Sequence, residues 1–266
     1  MGTRFILILL LLQGWQSLLA DEKERAPSEQ TASSRLREQR KEHYILGRFV
    51  YERNCQICHG RRGDGEGEWS PGLLPRPRSF RAAHFKYRTT PFGKLPADDD
   101  LKRTIQGGRS NTAMGMFTQL SERELEAVIV YIKTFSPKWK DDDLYSSPLA
   151  LPEKPNWFDE PKERALRVMA GERLFTIACV PCHGQNADGN GPQAMTLLDA
   201  RGRSIKPANL LFPHLRNGDS ELDLVRVLMT GLNGTPMLSF AETLGPEEMW
   251  ELAAYLHEKR QTALSK

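Results

Sequence analysis

The sequence predicts a helical protein built from two copies of one small domain. Two observations carry that reading. Helix signals punctuate the chain, and a whole series of landmarks appears twice at a near-constant spacing. One landmark is a five-residue motif, Cys-x-x-Cys-His, found as Cys55-Gln56-Ile57-Cys58-His59 and again as Cys179-Val180-Pro181-Cys182-His183. At 266 residues the chain has room for about two domains.

The N-terminus stands apart. Arg4 precedes an apolar run from Phe5 to Leu12, and Ala20 precedes the charged stretch Asp21-Glu22-Lys23-Glu24-Arg25. A short positive region, a short apolar core and a small residue before a polar start make a secretory signal, so residues 1–20 are expected to be removed. Leu18 departs from the small-x-small pattern at such a cleavage site. The apolar run falls short of the ~20 residues of a spanning helix, and no cysteine follows for a lipid anchor. The mature chain is therefore expected to be periplasmic, without a transmembrane anchor. Residues 21–42 hold six basic and six acidic side chains and read as a solvated tail or frayed helix.

The first domain is expected over residues 43–136. A helical pattern with Tyr44, Ile45, Phe49, Val50 and Tyr51 runs into Cys55. A glycine-rich turn follows (Gly60 to Gly67), then a Pro/Arg loop from Pro71 to Pro96. A helix begins near Asp98-Asp99-Asp100, whose carboxylates suit a helix N-terminus, and ends at Gly107-Gly108. The loop Thr112-Ala113-Met114-Gly115-Met116-Phe117 precedes a last helix, announced by the capping box Ser121-Glu122-Arg123-Glu124. Leu125, Val128, Ile129 and Ile132 fall on one face of it. Residues 137–161 are proline-rich and acidic and read as an extended linker.

A second domain is expected over residues 162–266 because the pattern then returns. Gly47 and Gly171, Tyr51 and Phe175, Cys55 and Cys179, Asp64 and Asp188, Gly67 and Gly191, Leu120 and Leu244, and Tyr131 and Tyr255 are each 124 residues apart. Thr112-Ala113-Met114 matches Thr235-Pro236-Met237 at a spacing of 123.

The repeated motif names its chemistry. Two thiols three residues apart can each add across one vinyl group of a porphyrin, and the adjacent histidine then lies beneath the iron. A lone Cys-x-x-Cys could instead be a redox dithiol or half a zinc site. Here the two copies use all four cysteines, and each carries the histidine. Two covalent haem c groups are expected, on Cys55 and Cys58 and on Cys179 and Cys182, with His59 and His183 as axial ligands.

Each half resembles a class I c-type cytochrome, and the whole resembles a tandem two-haem cytochrome c exported by bacteria. The resemblance rests on the two C-x-x-C-H-G segments, the turn residues after them, the two Thr-x-Met-x-x-Phe loops and the Gly-x-x-x-aromatic helix before each motif. It implies an all-α fold of two small bundles, each around one haem. In each, Gly47 or Gly171 would let the first helix meet the last, with Tyr51 beside Tyr131 and Phe175 beside Tyr255.

Thioether sulfur is a soft ligand that favours ferrous iron. Met237, alone in its loop, is the expected sixth ligand of the second haem. In the first loop the repeat selects Met114 over Met116, since Met116 falls beside Leu238-Ser239 of the copy. His84 and His214, each seven residues after a proline, are rival ligands that would give bis-histidine haems.

The net charge of +3, with 27% charged residues, excludes nothing but a dedicated nucleic-acid binder. Its distribution is uneven. Residues 43–136 carry fifteen basic and ten acidic side chains, and residues 162–266 carry twelve of each. Much of the excess lies in Arg76, Arg78, Arg81, Lys86, Arg88 and Lys94. Arg78 and Arg81 are candidates for haem propionate contact, and the loop as a whole for docking an acidic redox partner on the first domain. The expected function is electron transfer between redox proteins of a respiratory chain, without catalysis. The alternatives are a haem-bearing subunit of a larger oxidoreductase and a dihaem peroxidase. A methionine in both loops weighs against the open iron that a peroxidase needs. The absence of a spare cysteine weighs against a cysteine-ligated thiosulfate-oxidising enzyme.

Overall fold

The computed structural model describes residues 29–265. The expected signal at residues 1–20 lies outside them, as do residues 21–28 of the charged stretch. Two compact units divide the chain, Met1–Ile45 and Leu46–Lys266. The described part of the first is the leading portion of helix α1 (Glu29–Asn54), where Lys41 pairs with Glu38 at 3.6 Å and His43 Nδ1 lies 2.9 Å from the Gln39 carbonyl.

The second unit continues α1 and holds α2 (Gln56–His59), α3 (Asp98–Gly107), α4 (Glu122–Lys133), α5 (Pro161–Ala178), α6 (Val180–His183), α7 (Glu221–Thr230) and α8 (Pro246–Leu264). Among the described residues there is no β-strand, only an isolated bridge between Leu198 and Ser204. The all-α expectation holds. Of the two readings of the charged stretch, solvated tail or frayed helix, its described part is an exposed helix from Glu29 that runs on into α1.

Two hydrophobic cores form within this unit. One draws on Val50, Tyr51, Leu101, Ile105, Leu125, Val128 and Ile129; the other on Phe175, Leu224, Val225, Met249, Leu252 and Tyr255. Both are built around one crossing. A Cβ on Gly47 would overlap the Ala127 carbonyl and lie 2.9 Å from Tyr131 Cβ. A Cβ on Gly171 would overlap the Glu251 carbonyl and lie 3.0 Å from Tyr255 Cβ. Only glycine admits such close backbone contact. The rings then meet beside the gap, with Tyr51 and Tyr131 at 5.3 Å and Phe175 and Tyr255 at 5.4 Å between centroids. At the start of α4 the Ser121 hydroxyl accepts the Glu124 amide and the Glu124 carboxylate accepts the Ser121 amide at 2.9 Å, as the sequence signalled. Ser220 and Asp223 do the same for α7.

The linker is extended but not loose. Trp139 is buried in the first core, Trp157 and Phe158 in the second, and the Trp157 indole donates to Glu247 at 2.6 Å. Backbone bonds fasten it as well, from the Leu95 amide to Leu144 and from the Leu149 amide to Thr89, both at 2.8 Å. Its aromatic side chains outweigh the solvation favoured by its prolines and charges.

The two halves meet along a polar seam. Arg88, 2% exposed, donates to the carbonyls of Thr230 at 2.5 Å and Gly231 at 3.3 Å. The Asn233 amide group accepts from the Gly93 amide at 2.8 Å and donates to the Lys94 carbonyl at 2.9 Å. Arg201 and Arg203 reach Glu66. Arg88 is therefore a structural bolt, and it cannot serve as the docking charge expected of it.

Candidate haem sites

Each motif occupies one helical turn at the end of a long helix. The Cys55 amide bonds the Tyr51 carbonyl at 2.8 Å, so α1 delivers Cys55 directly, and the His59 amide closes on the Cys55 carbonyl at 2.8 Å. The copy repeats this from Cys179 to Phe175 at 2.9 Å and from His183 to Cys179 at 2.7 Å. Positions i, i+3 and i+4 share a helical face, so two thiols and an imidazole are presented together. All four thiols are free and half-buried. Burial, reinforced by the neighbouring thiol, pushes Cys55 up to about 12 and Cys179 up to about 11. A redox dithiol needs the opposite shift. Among the described residues no three His, Cys, Asp or Glu side chains gather as a site for a bare metal ion.

The histidines are oriented from behind. Nδ1 of His59 lies 2.9 Å from the Arg78 carbonyl, and Nδ1 of His183 lies 3.2 Å from the Ala208 carbonyl. A carbonyl only accepts, so Nδ1 carries the proton and Nε2 keeps its lone pair for a metal. Burial lowers the pKa of both rings, which favours the neutral form that coordination requires. The glycine turn wraps closely around this arrangement. Gly65, at φ +79°, donates its amide to the His59 carbonyl at 2.9 Å, and a Cβ there would lie 2.6 Å from the Pro77 carbonyl.

The two methionine loops are superposable in their bonding. The Met114 amide donates to the Thr112 hydroxyl at 3.0 Å, that hydroxyl donates to the Arg109 carbonyl at 2.7 Å, and the Arg109 amide bonds the Met114 carbonyl at 2.9 Å. Met237, Thr235 and Leu232 make the same three bonds at 3.1, 2.8 and 2.9 Å. The threonine of each Thr-x-Met is thus a clamp, a role that the sequence alone did not reveal. Met114 and Met237 are half-buried, whereas Met116 is 69% exposed.

Of the two arginine candidates, Arg78 is half-buried next to its anchored histidine and Arg81 is exposed. The rival ligands have other partners. His214 is an exposed side chain with Nδ1 2.8 Å from Asp219, and His84 Nε2 lies 3.3 Å from Lys138 Nζ.

Each half thus carries two thiols on one turn, an imidazole whose Nδ1 faces a carbonyl and a methionine whose amide is clamped by a threonine. Comparison with known proteins agrees on the class. The model of the family described as cytochrome c oxidase, cbb3-type, subunit III matches residues 46–132 and 166–256, one stretch in each half. The chain belongs to this family of c-type cytochromes; its cofactor is covalently bound haem c and its role is electron transfer. Among curated proteins it is similar to the cbb3-type cytochrome c oxidase subunit CcoP of Azospirillum brasilense, 24% identical over 79% of this chain and 60% of that protein. The same subunit of Azospirillum sp. (strain B510) matches equally, so the chain spans 60% of the length of these relatives. Among solved structures it resembles a chain of the reducing HAO-like protein complex of Kuenenia stuttgartiensis. There the TM-score is 0.71 and the identity 35%, over 80% of this chain and 95% of that one.

Proposed function

We propose that the chain is an exported two-haem relay, with one haem c on Cys55 and Cys58 between His59 and Met114 and the other on Cys179 and Cys182 between His183 and Met237. The observation that carries this reading is the exact repetition, in both halves, of the anchored histidine and the threonine-clamped methionine. When bound, haem c supplies one-electron chemistry at iron. The residues do the rest. Cys55 and Cys58, and Cys179 and Cys182, would tether the porphyrins, the Arg78 and Ala208 carbonyls hold the imidazoles, and the threonine clamps hold the methionine loops. With His59 and Met114, and His183 and Met237, as ligands, no position would be left for a substrate, and the chain would move electrons without catalysis.

The similar proteins are a subunit of an oxidase and a chain of a complex. They favour a second reading, in which this relay works as the haem-bearing subunit of a larger oxidoreductase. Both readings place it in the periplasm. Among the described residues no helix is long and apolar enough to cross a membrane. Exposed Arg61, Arg62 and Arg81, near the first haem site, are the charges proposed to meet an acidic redox partner.

The intact mass of the mature protein tests the core reading. The expected result is a chain starting at Asp21 and heavier by two haem units. One unit, or haem that leaves in acid acetone, would refute it.

A further inference from the structure

The seam between the halves borders an open cavity of about 300 Å³ lined by Tyr87, Arg109 and Arg216, and by three acids, Asp100, Asp219 and Asp223, each already paired with an arginine. Arg103 pairs with Asp100 and Arg226 with Asp223. Arg109 and Arg216 differ: among the described residues neither has a carboxylate at ion-pair distance. The Arg109 guanidinium lies 4.8 Å over the Tyr87 ring and donates to the Thr104 hydroxyl, and its buried Nε has no partner. Arg216 comes from the second half and lies close enough to Tyr87 for its charge to oppose the upward push that burial gives that hydroxyl. Arg78 and Lys86 add two more positive charges, and burial together with Arg78 and Arg216 pushes Lys86 down to about 8. The one carboxylate felt by both Arg78 and Lys86 is Asp199. Arg109 feels Asp100, which Arg103 already holds. The four cations therefore outnumber the carboxylates left to them, an excess that an anion would balance.

Main-chain bonds locate this site. Arg78 is the residue whose carbonyl holds His59, and Arg109 is the residue whose main chain closes on Met114. The two guanidinium side chains therefore grow from the anchors of both proposed ligands of the first iron. In the copy the same anchors are Ala208 and Leu232, which carry no charge. The cluster belongs to the first haem alone.

We infer that Arg216 reaches across the seam and, with Arg109 and Tyr87, holds the propionate carboxylates of the haem on Cys55 and Cys58, so that the second half tunes the first haem's potential. The inference rests on the two-haem reading. A positive charge near a haem favours its electron-richer state, and removing that charge lowers the potential.

The test is spectroelectrochemical titration of the two-haem protein in a Met237→His background, which moves the second haem to low potential and leaves the first as a separate wave. Arg216→Gln is expected to make the first haem about tenfold harder to reduce, about 59 mV for one electron. Arg216→Lys should restore most of the shift. Arg203→Gln, which removes a seam charge paired with Glu66, serves as the control and should leave the wave in place. If Arg216→Gln does not fold, Tyr87→Phe removes only the hydroxyl beside Arg216 and should lower the same wave by a smaller step. A first-haem wave that moves no further than in Arg203→Gln, or a shift confined to the second haem, overturns the inference. A mass showing a single haem in the parent protein overturns the two-haem reading instead.

Discussion

Met114 and Met116 stand two residues apart, and only one of them has its amide tied back to a threonine hydroxyl. That difference gives a direct test. Met116→Leu should leave the sulfur-to-iron charge-transfer band of both ferric haems intact. Met114→His should abolish the band from the first haem only, as read by near-infrared absorption or magnetic circular dichroism. Thr112→Val should weaken the band without abolishing it, because the clamp is lost while the thioether remains. In the sequence, Met114 is singled out only because the duplication supplies a second copy with a single candidate. The clamp was not legible there, since threonine beside methionine has no spacing rule that marks it. Nor was the inward turn of Arg78 against the outward turn of Arg81, three residues apart in a loop without periodicity.

At the level of helices, the crossings carry the largest expected single-residue effect. Gly171→Ala drives a methyl group into the Glu251 carbonyl of α8, where backbone cannot yield cheaply, and should cost about 3 kcal/mol in a denaturant titration. Gly47→Ala should do the same against α4. Ser121→Ala removes one cap and should cost about 1 kcal/mol. These elements were readable because their determinants are local: a glycine four residues from an aromatic, a serine three residues from a glutamate. The early part of α1 was only half legible, as tail or frayed helix, for the opposite reason. A solvated helix has no apolar stripe, and its support comes from pairs such as Lys41 with Glu38, which composition alone does not distinguish from a disordered tail. In the linker, the prolines and acids pointed to an extended course, while the tryptophans that fasten it to both cores carry no periodic signal of their own.

For the molecule as a whole, the seam was the least legible feature. Arg88 and its acceptors at Thr230 and Gly231 are separated by more than half the chain, and no pattern joins them. Arg88→Met should leave buried carbonyls unsatisfied at a cost of about 2 kcal/mol. In calorimetry it should split a single unfolding transition into two. Glu66 joins the halves at the surface. Its hydrogen bond from Arg203, with the charges of Arg203, Arg201 and Arg76, holds its pKa below the usual 4.5. A depressed carboxylate stabilises above its unfolded value, and that contribution is lost as pH falls through the folded one. Glu66→Gln should therefore lower Tm at neutral pH, and its gap from the unmodified protein should close on acidification. The proposed docking of an acidic partner through Arg61, Arg62 and Arg81 should make the bimolecular rate fall as salt shortens the Debye length from ~10 Å at 0.1 M to ~3 Å at 1 M. Reversing those three charges should flatten the slope, and a salt-independent rate in the unmodified protein would rule out steering.

The buried arginine at the seam also bears on kinetics inside the chain. Domains joined by a loose linker swing, and transfer between them then waits for a favourable orientation. Here Arg88, Asn233 and the tryptophan-fastened linker hold the halves in one register. In the proposed two-haem relay, an electron crossing from one half to the other would face a gap of constant width, and no diffusive search would gate the hop. Added viscogen would slow encounters with other proteins and leave the internal step untouched.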